Sequence, residues 1–159
     1  MSDNGSPDNS LPITPERERG VAMMNQVYGW EMPADVPGDF FAVTADHLFA
    51  DIWTRTGLSL RDRRLLLLGA IAAQGQSDIA KIQIGAALKN EELTEQQVEE
   101  AAIFLCHYVG WPLGTGLNNA LITVKAERRK AAKAAAAAQH AEQSGDSGVT
   151  STRKTDTDK

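Results

Sequence analysis

The segment Ser77–Pro112, SDIAKIQIGAALKNEELTEQQVEEAAIFLCHYVGWP, decides the fold, because its pattern predicts two helices joined by a short acidic loop. Ser77 is a candidate N-cap for the first helix. Thr94, followed three residues later by Gln97, forms a capping box that opens the second helix. Gly110 is expected to end that helix. The segment is therefore predicted to be an αα-hairpin.

Each helix of this hairpin has an apolar stripe at helical spacing. The stripe of the first helix is expected to contain Ile79, Ile82 and Ala86. The stripe of the second helix is expected to contain Val98, Ala102, Leu105 and Val109. Three polar or reactive side chains interrupt or adjoin these faces, and chemistry is expected near them: Gln83, Cys106 and His107.

Working outward, the same signals predict three helices before the hairpin and one after it. The first follows the N-cap Thr14 and ends at Gly29, and the second spans residues 39–55 with an apolar period. The third opens at Ser59 and contains LLLLGAIAA, which is apolar all round and is therefore predicted to be the central buried helix. The last helix is expected over residues 112–124.

The order of these segments predicts one all-α domain with flanking extensions. Residues 1–13 are predicted to be a disordered arm, because they are polar and have little to bury. The helical domain is expected to span residues 14–124. Residues 125–143 are alanine-rich and predict an exposed helical extension, and residues 144–159 predict a disordered tail.

Composition excludes several classes of function. Residues 1–124 carry eight Lys and Arg against sixteen Asp and Glu, so nucleic acid is not an expected partner. The longest apolar run has nine residues and is too short to span a bilayer, so no membrane association is expected. The N-terminus lacks the features of a signal peptide, and the single cysteine cannot form an internal disulfide, which predicts a cytoplasmic protein. No metal or cofactor is expected, because the histidines and the cysteine lack metal-ligand spacing.

Four segments in order then resemble the carboxymuconolactone decarboxylase family, which shares the all-helical fold of alkyl hydroperoxidase D. They are FADIWTRTGL at 49–58, RDRRLLLLGAIAAQGQ at 61–76, IGAAL at 84–88 and YVGWP at 108–112. The resemblance covers about residues 16–124. It implies a bundle of about six helices that forms a homotrimer or homohexamer. It also implies a cofactor-free lyase that decarboxylates a small carboxylated lactone or a related organic acid.

Two positions depart from the pattern of the decarboxylases in this family. Asp51 stands where they usually have Glu, and Gln83 stands where they usually have His. A glutamine side chain cannot exchange a proton near neutral pH. The peroxidatic members carry a CxxC pair, whereas here Cys106 is alone, so a two-thiol cycle is not available.

The candidate site residues are chosen for their side-chain chemistry and spacing and from this resemblance. Asp51, His47 and His107 are candidates for proton transfer, with His47 and Asp51 adjacent on one helix face at i, i+4. An alternative for Asp51 is an ion pair with Arg55. The candidate substrate-binding residues are Gln83, Arg55, Trp53, Tyr108 and Trp111.

Two other functions stay open at this point. One is a hydroperoxide reductase that uses Cys106 alone with an external thiol, which requires an exposed and reactive thiol. The other is a helical oligomer without catalysis that binds a small ligand or a protein, which a wholly apolar pocket would favour.

Overall fold

The computed structural model describes residues 13–146, with side chains through Ala141. The helices in chain order are α1 (Pro15–Tyr28), α2 (Asp39–Val43), a π-helix (Thr44–Ile52), α3 (Leu60–Ala73), α4 (Ser77–Lys89), α5 (Glu95–Val109) and α6 (Trp111–Asp146). No strand occurs within residues 13–146, so the all-α fold class is confirmed. Residues 1–12 of the predicted arm and 147–159 of the predicted tail lie outside the described residues. The helix α6 continues through residues 144–146 of that tail.

Capping side chains fix the starts of α1, α3 and α5 as the sequence predicts. Thr14 and Ser59 each accept a hydrogen bond from the backbone N–H three residues further on, at 3.2 and 3.1 Å. Thr94 and Gln97 exchange both bonds of the capping box, at 2.9 and 3.2 Å. Gly29 follows α1 with a φ of 81°, a left-handed conformation that glycine adopts without steric cost.

The predicted α-helix over residues 39–55 is wrong in its pitch. Regular α-helix covers only Asp39–Val43, and the chain then continues as the π-helix, which closes where the Trp53 N–H donates to the Leu48 carbonyl at 3.0 Å. That hydrogen bond spans five residues instead of four. Such segments are rare and occur frequently at functional sites.

Helix α1 and the π-helix pack together around the first of two apolar clusters. Its buried members are Val21, Met24, Val27, Ala45 and Phe49. Gly20 lets the two backbones approach, because a Cβ at this position would collide with the Ala45 carbonyl oxygen. Arg17 adds a polar link, donating to both carboxylate oxygens of Asp46 at 2.6 and 3.0 Å. The position of the π-helix is thus fixed by close packing on α1.

The second apolar cluster joins α3, α4, α5 and the first part of α6. Its most deeply buried large members are Leu68, Ile84, Val98, Leu117 and Leu121. Gly114 lets α6 lie against α5, since a Cβ there would overlap the Sγ of Cys106. The hairpin predicted from the sequence is therefore built into the larger core.

The predicted buried faces of α3 and α4 are wrong in part, although Ala86 of the predicted α4 stripe is buried. Leu66 in α3 is 64% exposed, so this helix is not buried all round, and the side chain of Arg64 is completely buried instead. In α4, Ile79 and Ile82 are exposed. The face of α4 that packs inward contains Ala80, Gln83, Ile84 and Ala87. Ser77 begins α4 but does not cap it; the cap position is Gln76, without a side-chain hydrogen bond.

The chain divides into two compact units, Met1–Val124 and Lys125–Lys159. In the second unit, residues 126–141 are exposed. Among the described residues, no helix combines the length and the apolar character needed to cross a bilayer.

Candidate functional site

The predicted pair His47 and Asp51 lies on the π-helix. His47 Nδ1 is 3.3 Å from Asp51 Oδ2, and the two side chains are 65% and 58% exposed. The alternative ion pair between Asp51 and Arg55 is not formed among residues 13–141. An imidazole and a carboxylate within hydrogen-bond reach of each other, and both open to solvent, can hold and transfer a proton to a bound molecule.

Gln83 is buried and is held by a partner from another helix. Its Oε1 accepts a short hydrogen bond from Nη1 of Arg64 in α3, and Gln83 is only 3% exposed. An amide held in this way satisfies one of the five guanidinium N–H groups of a buried arginine. The structure therefore assigns Gln83 a hydrogen-bonding role inside the protein.

Arg64 and Glu92 form a buried ion pair that sequence reasoning missed. Arg64 Nε donates to Glu92 Oε2 at 2.8 Å and Nη2 donates to Oε1 at 3.1 Å, a bidentate geometry. Nη2 also donates to the Val27 carbonyl at 2.8 Å. These contacts connect α3 with α1 and with the loop after α4. The arginine therefore joins elements from both apolar clusters.

The pKa of Glu92 reflects these contacts. Burial alone raises the pKa of this carboxyl, but hydrogen bonds from Arg64 and Asn90, together with the charge of Arg64, lower it below its ordinary value. The Asn90 amide donates to Glu92 Oε1 at 3.0 Å and to the Gln26 carbonyl at 2.6 Å. Glu92 thus stays ionised in a nearly dry position.

Aromatic rings cover one side of this network. The ring of Trp53 lies 6.0 Å from the Cζ of Arg64 and is stacked on Phe49 with centroids 6.0 Å apart. Tyr28 packs against Phe49 at 5.5 Å, and burial raises the pKa of its phenol, partly offset by the charge of Arg64. Trp53, a predicted substrate-binding residue, is therefore partly buried and packs against the guanidinium group.

The remaining predicted residues lie at the ends of α5 and α6. His107 is exposed, and its Nδ1 lies 3.0 Å from the Ile103 carbonyl oxygen. Tyr108 is 74% exposed with its ring 4.7 Å from that of Phe104, and Trp111 is 65% exposed. Within residues 13–141, none of these three side chains contacts His47 or Asp51. This chain therefore does not bring all the predicted catalytic residues together at one place.

Cys106 is 6% exposed, and its Sγ lies against the backbone of Gly114. Cys106 is one of the lining residues of a small cleft of about 180 Å³, together with Trp111 and Asn118. A buried thiol packed against a helix is typical of a small apolar side chain. The low exposure of Cys106 disfavours the exposed thiol that a single-cysteine peroxidase requires.

Arg55 lies in the loop after the π-helix, where it lines an open cleft of about 400 Å³ together with Arg63. Sequence reasoning selected Arg55 but missed Arg63. The only signal for Arg63 was its place in the RDRR sequence at the start of α3, where basic residues are ordinarily solvated. In residues 13–141, no group of three or more His, Cys, Asp or Glu side chains is arranged to hold a metal ion.

A sequence profile described as Carboxymuconolactone decarboxylase family matches residues 38–143, which is more than half of the chain. The chain belongs to the carboxymuconolactone decarboxylase family. The match begins just before α2 and so includes the π-helix, the loop with Arg55 and the whole helical hairpin. No curated protein sequence matches this chain.

Membership of the carboxymuconolactone decarboxylase family confirms the resemblance found in the sequence. The two residues that depart from the pattern of the decarboxylases, Asp51 and Gln83, lie in different surroundings. Asp51 is exposed beside His47, whereas Gln83 is buried beside Arg64. The first position is open to a ligand and the second is enclosed.

Proposed function

We propose that the protein is a cofactor-free lyase of the carboxymuconolactone decarboxylase type that acts on a small carboxylated lactone or a related organic acid. In this reaction the bond between a carbon atom and its carboxylate breaks and CO2 leaves. The electron pair stays on the carbon atom, which then takes up a proton. The protein must hold the carboxylate and supply that proton.

The observation that carries this proposal is the exposed pair of His47 and Asp51 within the family match, 3.3 Å apart. Asp51 occupies the acidic position of the family's decarboxylases. His47 lies close enough to exchange a proton with it, and so supplies the ring that Gln83 does not. In this mechanism Asp51 and His47 hold and deliver the proton, and Arg55 binds the carboxylate as an ion pair.

A second candidate function is ligand binding without catalysis. A cleft of about 420 Å³ between α3 and α5 is lined almost wholly by apolar side chains, including Leu65, Leu66 and Phe104. Such a cleft suits an apolar ligand or a protein surface. The single-cysteine peroxidase has no comparable support, because Cys106 is buried.

We also propose that the protein forms a homotrimer or homohexamer in the cytoplasm. Leu66, Phe104 and Tyr108 each expose more than half of their surface on this one chain, which is typical of an oligomer interface. Sedimentation at micromolar concentration should give a trimer or hexamer. A monomer at that concentration would exclude this assembly.

The test of the lyase proposal is the ultraviolet absorbance of carboxylated lactones during incubation with the protein. The variant Asp51→Asn should lose about 10²-fold in turnover, the usual contribution of a general acid or base. Asp35→Asn changes an exposed loop carboxylate in the same way and should keep parental turnover. If no carboxylated lactone or keto acid is turned over, the binding function takes its place.

A further inference from the structure

We propose that the open cleft after the π-helix is a binding site for a small carboxylate anion, held by two arginines. The lining residues are Arg55, Thr56, Gly57, Leu58 and Arg63. Binding at this cleft is independent of turnover. The identification of the anion with the substrate carboxylate rests on the proposed lyase function.

The first argument is the distribution of ion pairs. Residues 13–124 contain six arginines, and four of them lie within 4 Å of a carboxylate: Arg17, Arg19, Arg61 and Arg64. The other two, Arg55 and Arg63, have no carboxylate partner among the described residues, and both line the same cleft. Within residues 13–124, the two arginines without a carboxylate partner therefore lie together.

The second argument is the hydrogen bonding of Arg63. Its Nη2 donates to the Arg55 carbonyl oxygen at 2.6 Å, which holds the side chain against the loop of the cleft. Its Nε is buried and has no hydrogen-bond partner among the described residues. A buried N–H group without an acceptor costs free energy, and a ligand oxygen would relieve that cost. The side chain of Arg63 is therefore held in place by Nη2, while its Nε still lacks an acceptor.

The third argument concerns the class of anion. A guanidinium group presents its N–H donors as a planar fork that matches the two oxygens of a carboxylate. The volume of about 400 Å³ lies in the range of small-molecule sites. Leu58 adds a large apolar side chain to the lining of this cleft. The preferred ligand is therefore a small carboxylate that has an apolar body.

The position of the cleft agrees with the proposed reaction. Arg55 follows Asp51 by four residues, so the loop that forms the cleft continues directly from the helix that bears the proton-transfer pair. Both segments lie inside the family match. A carboxylate bound by Arg55 and Arg63 would be held by the segment next to the proton donor.

The test is calorimetric titration of the protein, residues 1–159, with benzoate at low chloride concentration, with neutral benzamide as the matched probe. Benzoate should bind and benzamide should not. Arg55→Gln and Arg63→Gln should each weaken benzoate binding by about tenfold or more, the scale of a hydrogen bond to a charged group. Arg61→Gln, at an exposed arginine paired with Asp62, should leave the affinity unchanged. Circular dichroism checks that each variant is folded.

Three results of the titrations would overturn the site. They are absence of benzoate binding to the parent protein, equal affinity in the folded Arg55 and Arg63 variants, and tighter binding of inorganic phosphate than of benzoate. A crystal structure with a carboxylate of a neighbouring subunit in the cleft would also overturn it. Arginine-dependent benzoate binding without turnover of any lactone would refute the lyase and leave this site standing. Turnover with arginine-independent binding would refute the site alone.

Discussion

Arg64 and Glu92 are withdrawn from water, with side chains 0% and 8% exposed, whereas His47 and Asp51 expose more than half of each side chain. Both pairs join a basic group to a carboxylate, and both connect residues of the family domain. In the buried pair the guanidinium group meets a carboxylate, an amide and a backbone carbonyl. In the exposed pair a single contact of 3.3 Å is made.

We propose that this difference separates a structural role for the buried pair from a functional role for the exposed pair. A buried charge requires several partners, because its loss of hydration is costly, and such a group has few donors left for a ligand. An exposed pair contributes little to stability, but it remains open to a substrate. Side-chain type alone does not assign either role, and burial decides between them.

The strongest way to break this comparison is to remove the buried arginine. Arg64→Met leaves Glu92 as an uncompensated charge and Gln83 without its donor, so the free energy of unfolding should fall by about 3–5 kcal/mol. Urea denaturation followed by circular dichroism measures this change. Arg61→Met, at an exposed position, should change the value by less than about 0.5 kcal/mol. Equal losses in the two variants would mean that Arg64 is not the centre of the network.

A second change tests the charge of Glu92. Glu92→Gln should cost about 1.5–3 kcal/mol at pH 7, the range for a hydrogen bond to a charged group. The pKa of Glu92 is lowered in the folded state, so its stabilising contribution is present above the unfolded pKa of about 4.3 and is lost as the pH falls through the folded pKa.

The difference in unfolding free energy between parent and Glu92→Gln should therefore shrink as the pH falls below about 4. Urea titrations at a series of pH values measure it. A difference that grows on acidification would show that the carboxyl is protonated in the native protein and that the assigned ion pair is absent.

A third change concerns the support of the exposed pair. Gly20→Ala forces a methyl group against the Ala45 carbonyl oxygen, so it should destabilise the protein by about 1–3 kcal/mol and disturb the π-helix. Gly85→Ala also lies within a helix but meets no atom within 4 Å, so it should stabilise by roughly 0.5–1 kcal/mol. Thermal melts of both variants give the comparison. If Gly85→Ala also lowered the melting temperature, the gain expected from the higher helix propensity of alanine would be absent, and the comparison with Gly20→Ala would fail.

The sequence was sufficient for features that depend on neighbouring residues. The caps at Thr14, Ser59 and Thr94 and the all-α class could be predicted, because each signal lies within one turn of its helix. The contact between His47 and Asp51 could be predicted for the same reason. The π-helix could not, because an apolar spacing of three and four residues does not distinguish its pitch from that of an α-helix.

The buried network depends on residues far apart in the chain. Arg64 contacts Gln83 and Glu92, which lie 19 and 28 residues away, and no local pattern predicts that pairing. Once Arg64 turns inward, its partner Gln83 is also drawn into the interior. This explains why Leu66 faces outward and why Ile79 and Ile82 are not in the core. The buried faces of α3 and α4 were mispredicted because Arg64 and Gln83 occupy buried positions on them. A search for periodic apolar residues does not detect a buried polar pair.

The measurement that tests the central claim most directly compares two carboxylates by turnover per folded molecule. Asp51→Asn and Glu92→Gln are assayed on one carboxylated lactone that the parent converts, at a temperature where circular dichroism shows both variants folded. We expect Asp51→Asn to lose about 10²-fold in turnover and Glu92→Gln to keep the parental rate. The opposite result would contradict the division between a structural and a functional pair. In that result, folded Glu92→Gln protein shows the large loss in turnover and Asp51→Asn protein stays active.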